Sequence, residues 1–197
     1  MSLAAKPKRY TLDEYLNLET TTEYFYELEA GTITEMPPES PENVRVAMYL
    51  MMLLMQQLGV ERVSNKAEII ISGTRVNSRI PDITVFTPEG VAEIRGLKRS
   101  TVTLDMLPPL LVVEVVSPGK ENRDRDYRFK RSEYAARGIP FYWIVDPQLQ
   151  CFTALTLVDG LYEETIVNSL NLAEKDNRIS IADPIKLDIN LGDLFAL

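Results

Sequence analysis

Residues Leu110 to Val116 are apolar throughout except for Glu114. Strands buried on both faces read as continuous apolar runs, so this segment predicts a central strand of a covered sheet. A carboxylate inside such a strand is costly unless it is paired or bound to metal. The bland reading of Glu114 is a strand-end residue that faces solvent or meets an arginine.

The flanking signals predict a mixed α/β fold. Thr11-Leu12-Asp13-Glu14 reads as a capping box, with a short helix bearing Leu12, Tyr15 and Leu16 on one face. Residues 24–28 and 32–36 flank the turn signal Glu29-Ala30-Gly31, an expected β-hairpin. Ser40 caps a helix that carries Pro41 at its first position and stops at Gly59. Its expected core face is Val44, Ala47, Met48, Met51, Leu54, Met55 and Leu58. A pliant methionine groove is the weaker reading of that stripe. Strands are expected at residues 67–71, 74–79 and 82–86, with a turn at Ser72-Gly73 and a loop with a turn of helix over 87–106. Asn122 to Arg137 reads as a helix ending at Gly138, and Phe141 to Val145 as a second buried strand. Asp159-Gly160 then marks a hairpin of residues 152–158 and 161–167. Leu187, Ile189, Leu191, Leu194 and Phe195 read as a docking tail. With 197 residues, 45% hydrophobic and 25% charged, the expectation is one domain over 1–197, with residues 1–10 a flexible N-terminus.

Histidine is absent. That removes Ser-His-Asp and Cys-His nucleophile systems, His-metal nucleases and any imidazole base. Cys151 is the only cysteine, so no intramolecular disulfide or cysteine-rich zinc site is possible. No Gly-rich phosphate loop or dinucleotide fingerprint occurs. The net charge of −8 opposes tight nonspecific binding to nucleic acid. The average hides a patch. Residues 120–137 carry seven basic and four acidic side chains, +3, which leaves −11 on the rest. The start has no apolar leader and the richest apolar stretch, 44–58, is too short to span a bilayer, so the expectation is a cytoplasmic protein.

Two further residues stand beside Glu114. Pro81 forces an extended backbone and places Asp82 at the head of a strand. The bland reading of Asp82 is a turn or cap. At helical spacing Asp126, Lys130 and Tyr134 share one face, and the short loop 117–121 lets that helix fold back toward Glu114. The bland reading of Lys130 is a solvated basic helix with i,i+4 pairs.

Pro81-Asp82 followed by Glu114-Val115-Val116 resembles the PD-(D/E)XK nuclease pattern. The usual lysine position holds Val116, and Lys130 on the following helix is the candidate substitute. The ordered set is similar to the Uma2 family of restriction-endonuclease-like proteins. It comprises Tyr26 to Gly31, Met36 to Glu42, Pro81 to Val85, Leu111 to Pro118, Asp126 with Lys130 and Tyr134, and Gly138 to Pro147. Each motif alone is weak; their order over most of the chain is specific. Asn43 departs from the pattern, standing where the family often has His.

The resemblance implies a restriction-endonuclease-like mixed sheet flanked by helices, with an additional hairpin, and a Mg²⁺ or Mn²⁺ site. It makes Asp82 and Glu114 metal ligands, with the Val115 carbonyl a third. Lys130 would orient or deprotonate the attacking water and stabilise the transition state. Glu27 would be a further acid near the site, or else a paired strand glutamate. The basic helix would face phosphate, with Arg123, Arg125, Arg128 and Arg131 as candidates that cannot all face one way.

Independently of the resemblance, two carboxylates with a bound cation and one lysine suffice for phosphodiester hydrolysis without histidine, and all-oxygen ligands suit Mg²⁺ or Mn²⁺. The first reading is therefore a metal-dependent endonuclease, with DNA the expected substrate. The second is a catalytically weak or inactive protein of the same fold that binds nucleic acid or a protein partner. A small-molecule phosphoesterase is the third. A homodimer is compatible with the resemblance.

Overall fold

The structure, a computed structural model, describes residues 8–18, 26–72, 77–171 and 177–195. The expected positions 1–7, 24, 25 and 73–76 lie outside them, and with them the turn at Gly73 and the start of the strand expected over 74–79.

Helix α1 (Leu12–Leu16) carries the full capping box: the Thr11 side chain accepts from the Glu14 backbone and Glu14 accepts from the Thr11 N–H. Strands β1 (Tyr26–Glu29) and β2 (Thr32–Glu35) pair antiparallel, with Ala30 and Gly31 both at positive φ, the requirement of a tight hairpin turn. Helix α2 (Pro41–Leu58) begins on a Ser40 cap with Pro41 at its start. Strands β3 (Val63–Ser64), β4 (Glu68–Ser72), β5 (Asn77–Arg79) and β6 (Ile83–Val85) follow. Helix α3 (Pro88–Ile94), β7 (Thr101–Val102) and β8 (Leu111–Val115) come next. The basic helix runs continuously over 120–137, as α4 (Lys120–Asp124), a π-helical stretch (Arg125–Lys130) and α5 (Arg131–Arg137). Gly138, left-handed at φ 79°, ends it. Strands β9 (Phe141–Asp146), β10 (Cys151–Val158), β11 (Leu161–Ser169), β12 (Arg178–Ile181) and β13 (Leu187–Asn190) lead into α6 (Leu191–Phe195).

The main sheet has six strands in the order β11-β10-β9-β8-β6-β3. Its one parallel pair is β8 with β9, joined by the 120–137 helix; the other pairs are antiparallel. A three-stranded sheet β5-β4-β7 and the hairpins β1-β2 and β12-β13 complete the described strands. Strand β8 lies inside the sheet with apolar layers on both faces, which explains its unbroken apolar sequence. Val113 and Val115 face the layer built from α2, β13 and α6; Val112 and Val116 face the layer that includes Tyr134 and Tyr142. The tail residues expected to dock are all buried in the first layer.

Two expectations need correction. The fully buried apolar residues of α2 are Val46, Leu50 and Leu54, of which the expected stripe held only Leu54; Ala47, Met51, Met55 and Leu58 are partly buried against the core, while Val44 and Met48 are exposed, Met48 at 61%. Apolar residues surround this helix, so periodicity alone could not choose the buried side. Residues 87–106, expected as a loop with a turn of helix, hold a two-turn helix and a short strand. Thr87 caps α3 through the Gly90 N–H at 3.0 Å with Pro88 at the first position, the signature that Ser40 and Pro41 gave for α2.

Candidate active site

The register of β6 against β8 pairs Ile83 with Val113 and Thr84 with Val112. One step further along it, Asp82 stands opposite Glu114, and directly opposite residues share a face of the sheet. The Val115 N–H donates to Asp82 Oδ2 at 2.6 Å, which fixes that carboxylate at the end of the strand pair. Glu114, 3% exposed, accepts from the Tyr134 hydroxyl at 2.5 Å through Oε1 and pairs with Lys130 Nζ at 2.7 Å through Oε2. Lys130, 2% exposed, also meets Asp126 Oδ1 at 3.3 Å. The helix that follows β8 thus folds back as its spacing predicts, and the π-helical stretch ends on Lys130 itself. Such stretches recur at functional positions, where they re-aim side chains.

The electrostatics are frustrated. Burial pushes Asp82 up to about 6, against the Val115 N–H and Lys130, while Glu39 and Asp126 add repulsion. Burial also pushes Glu114 upward despite the pull of Lys130, with Asp126 and Asp82 adding to the rise. Burial opposes the charge on Lys130, but Glu114 and Asp126 outweigh it and hold the ammonium above its ordinary value. Clustered carboxylates with too few cations are a signature of functional sites rather than of structural pairing.

Glu27 lies on the rim of the same cleft, with both oxygens engaged. Oε2 pairs with Arg79 at 3.0 Å and Oε1 accepts from the Ile80 N–H at 3.0 Å. Arg79 is also held by Glu133 at 2.7 Å, which joins β1, β5 and α5. Glu27 therefore anchors the backbone two residues before Asp82. The four arginines diverge. Arg125 lines the cleft with Lys130. Arg123 binds Asp146 at 2.8 Å, Arg131 binds Glu164 at 3.0 Å and the Tyr162 carbonyl, and Arg128 is exposed beside Asp124. A wall of four phosphate-facing arginines does not form, because successive helix positions point to different sides.

Three neighbours were not singled out as site residues from the sequence. Asp126 holds Lys130. Glu39 bounds the cleft and Asn43 holds it in place: Asn43 Nδ2 donates to Glu39 Oε2 at 3.1 Å, to the Val115 carbonyl at 3.4 Å and to Ser117 Oγ at 3.4 Å. The signal for Glu39 was the Met36–Glu42 segment, which matched by motif but had no assigned chemistry; Asn43 stood out only as a departure from the pattern. The cleft measures about 330 Å³ and is bounded by Glu27, Glu39, Ser117, Arg125 and Lys130.

The donor set fits a hard cation. Among the described residues no group of three or more His, Cys, Asp or Glu side chains is arranged to hold an ion. Asp82, Glu114 and the Val115 carbonyl instead offer two carboxylates and one backbone oxygen. Mg²⁺ is commonly held in that way, by one or two carboxylates, with water and substrate phosphate completing its shell. The excess of buried negative charge is what a divalent ion would relieve.

No curated protein matches the chain. Among solved structures it is similar to one described as a putative nuclease belonging to DUF820 from Anabaena variabilis ATCC 29413. The TM-score is 0.70 at 19% identity, over 95% of this chain and 98% of that one, which establishes the shared fold. No helix among the described residues is long and apolar enough to cross a membrane. The family model of Uma2, described as putative restriction endonuclease, matches residues 12–189, and the chain belongs to that nuclease-like family.

Proposed function

We propose that the protein is a Mg²⁺- or Mn²⁺-dependent endonuclease that hydrolyses phosphodiester bonds in DNA. The observation that carries this reading is the meeting of Asp82, Glu114 and Lys130, from three separate stretches of chain, at the end of one strand pair beside an open cleft. Asp82, Glu114 and the Val115 carbonyl would hold the cation, which lowers the pKa of water and neutralises phosphoryl oxygens.

Lys130 has a narrower role than a base. Its two acidic partners keep it protonated, so it donates to a phosphoryl oxygen and does not take the proton of water. An ammonium has three donors; Glu114 and Asp126 take two, and the third serves a phosphate in the cleft. Water adds to phosphorus and gives one proton to solvent, the bond to the leaving strand oxygen breaks, and that oxygen takes a proton from solvent to leave as the alcohol. Tyr134 and Asp126 act as positioning residues, on Glu114 and Lys130 respectively.

Plasmid and oligonucleotide DNA, incubated with Mg²⁺ or Mn²⁺, test the reading. Wild type should cleave, and Asp82→Ala, Glu114→Ala and Lys130→Ala should not, with their folds intact by circular dichroism. Equal cleavage by wild type and variants would expose a contaminant and defeat the reading. One observation favours a second reading: both oxygens of Glu114 are already occupied, and the chain is acidic. A catalytically weak nuclease-fold protein would show no metal-dependent cleavage but salt-sensitive binding to nucleic acid or capture of a protein partner.

A further inference from the structure

A second hollow of about 520 Å³ shares Glu35, Met36, Pro37, Pro38 and Glu39 with the cleft, and Asp82 and Asn43 border it. Its walls are apolar: Met36, Pro37 and Pro38 from the segment before α2, and Ala47, Met48 and Met51 from the helix. The N-terminal part of the α2 stripe, with Val44 and Met48 exposed, therefore lines this groove. A volume of this size suits a small-molecule moiety, with a few polar groups to orient it.

We propose that this groove receives an unpaired nucleobase of the strand being cut, so that the enzyme acts on single-stranded or unstacked DNA. The inference rests on the nuclease reading and specifies its substrate. Continuity is the first argument. A phosphate held between Asp82 and Lys130 has its attached nucleoside within reach of a groove that begins at Asp82. Charge is the second. Around the two hollows Glu27, Glu35, Glu39 and Asp82 outnumber Lys66, Arg125 and Lys130, so they are poor tracks for a duplex backbone, whose affinity comes from phosphate neutralisation. Binding must draw on apolar contact, and a base supplies a π-face to methionine and proline side chains. A paired base in a duplex cannot present that face, so the base must be unpaired or flipped out.

Fluorescence anisotropy with a fluorescein-labelled dT oligonucleotide, an abasic strand of the same length and a duplex tests this in Ca²⁺ or EDTA, without turnover. The single strand should bind with a shallow salt slope, and the abasic strand about two- to ten-fold more weakly, the range expected of sulfur–ring contacts. Met48→Ser should weaken dT binding by up to about ten-fold and leave abasic binding unchanged. Met52→Ser, exposed on the same helix outside the groove, should bind as wild type. Equal affinity for dT and abasic strands, tighter binding of the duplex, or no effect of Met48→Ser would overturn the proposal. So would a concentration-dependent dimer abolished by Met48→Ser, which would assign the groove to a second copy. The two readings fail separately. Cleavage that ignores Met48→Ser removes the base site and keeps the nuclease, whereas base-dependent binding without cleavage under Mg²⁺ or Mn²⁺ keeps the base site and removes the nuclease. Neither binding nor cleavage removes both.

Discussion

Two glutamates interrupt apolar strands in this protein, Glu68 before Ile69-Ile70-Ile71 and Glu114 after Leu111-Val112-Val113, and they are almost equally buried at 4% and 3%. Each accepts from a tyrosine hydroxyl and meets a cation. Glu68 has Tyr15, Thr101 Oγ1 at 2.8 Å and Arg99 at 2.9 Å. Glu114 has Tyr134 and Lys130. What differs is the company. The partners of Glu68 are donors, and its arginine reaches solvent at 39% side-chain exposure. Glu114 shares its buried lysine with Asp126 and faces Asp82 as well. Glu68 closes a joint between α1, β4 and β7. Glu114 sits among more acids than local cations can neutralise, which a structural joint does not need and a cation site does.

That contrast can be broken by substitution. Lys130→Met should produce the largest loss, because it strands Glu114 without its cation and leaves Asp126 only Arg125, at 3.5 Å; breaking a buried pair costs about 3–5 kcal/mol. Arg99→Met, at a half-exposed pair, should cost about 1 kcal/mol or less. Urea denaturation of both variants decides the matter, and equal losses would erase the distinction. Tyr15→Phe and Tyr134→Phe each remove one buried donor and should each cost about 1–3 kcal/mol. Only Tyr134→Phe should also lower the cleavage rate, measured under the same metal concentration. If Tyr15→Phe lowers it equally, the two glutamates are not functionally separate.

A further effect concerns pH. Asp82 titrates at about 6 in the folded chain because burial disfavours its charge, whereas an ordinary aspartate sits at 3.8. Between those values the folded chain holds a proton that the unfolded chain has lost, so stability falls as pH rises from about 4 to 6. Asp82→Asn should flatten that slope and leave the protein about 1–2 kcal/mol more stable than wild type at pH 7, while cleavage is lost. Unfolding curves at pH 4, 5, 6 and 7 check the sign; a variant less stable at pH 7 would contradict it.

The strand–helix–strand centre was legible because its signals are local. A continuous apolar run, a Gly138 stop and the i,i+4 spacing of Asp126, Lys130 and Tyr134 each point one way. The Asp82–Glu114–Lys130 meeting followed from that order together with motif resemblance. The same logic applied to Glu68 would have marked it equally, since a carboxylate in an apolar strand does not reveal what faces it across 33 residues of chain. Glu39 and Asn43 were illegible as site residues for the same reason: their partner is the end of β8. Val44 and Met48 were misread as core because methionines and valines surround α2, and only the positions of β13 and α6 decide which side is covered. The sequence showed that the four arginines cannot all face one way but not where each goes: Arg123 and Arg131 are held by Asp146 and Glu164, far along the chain, and Arg125 and Arg128 by acids of their own helix.

The central claim is that the Glu114 cluster, and not the Glu68 joint, takes a divalent ion. Electron paramagnetic resonance of free Mn²⁺ during titration counts bound ions directly. Wild type and Glu68→Gln should each bind Mn²⁺ at this site, and Asp82→Ala and Glu114→Gln should lose it. Undiminished Mn²⁺ binding by Asp82→Ala, or none by the wild type at millimolar ion, would contradict the account.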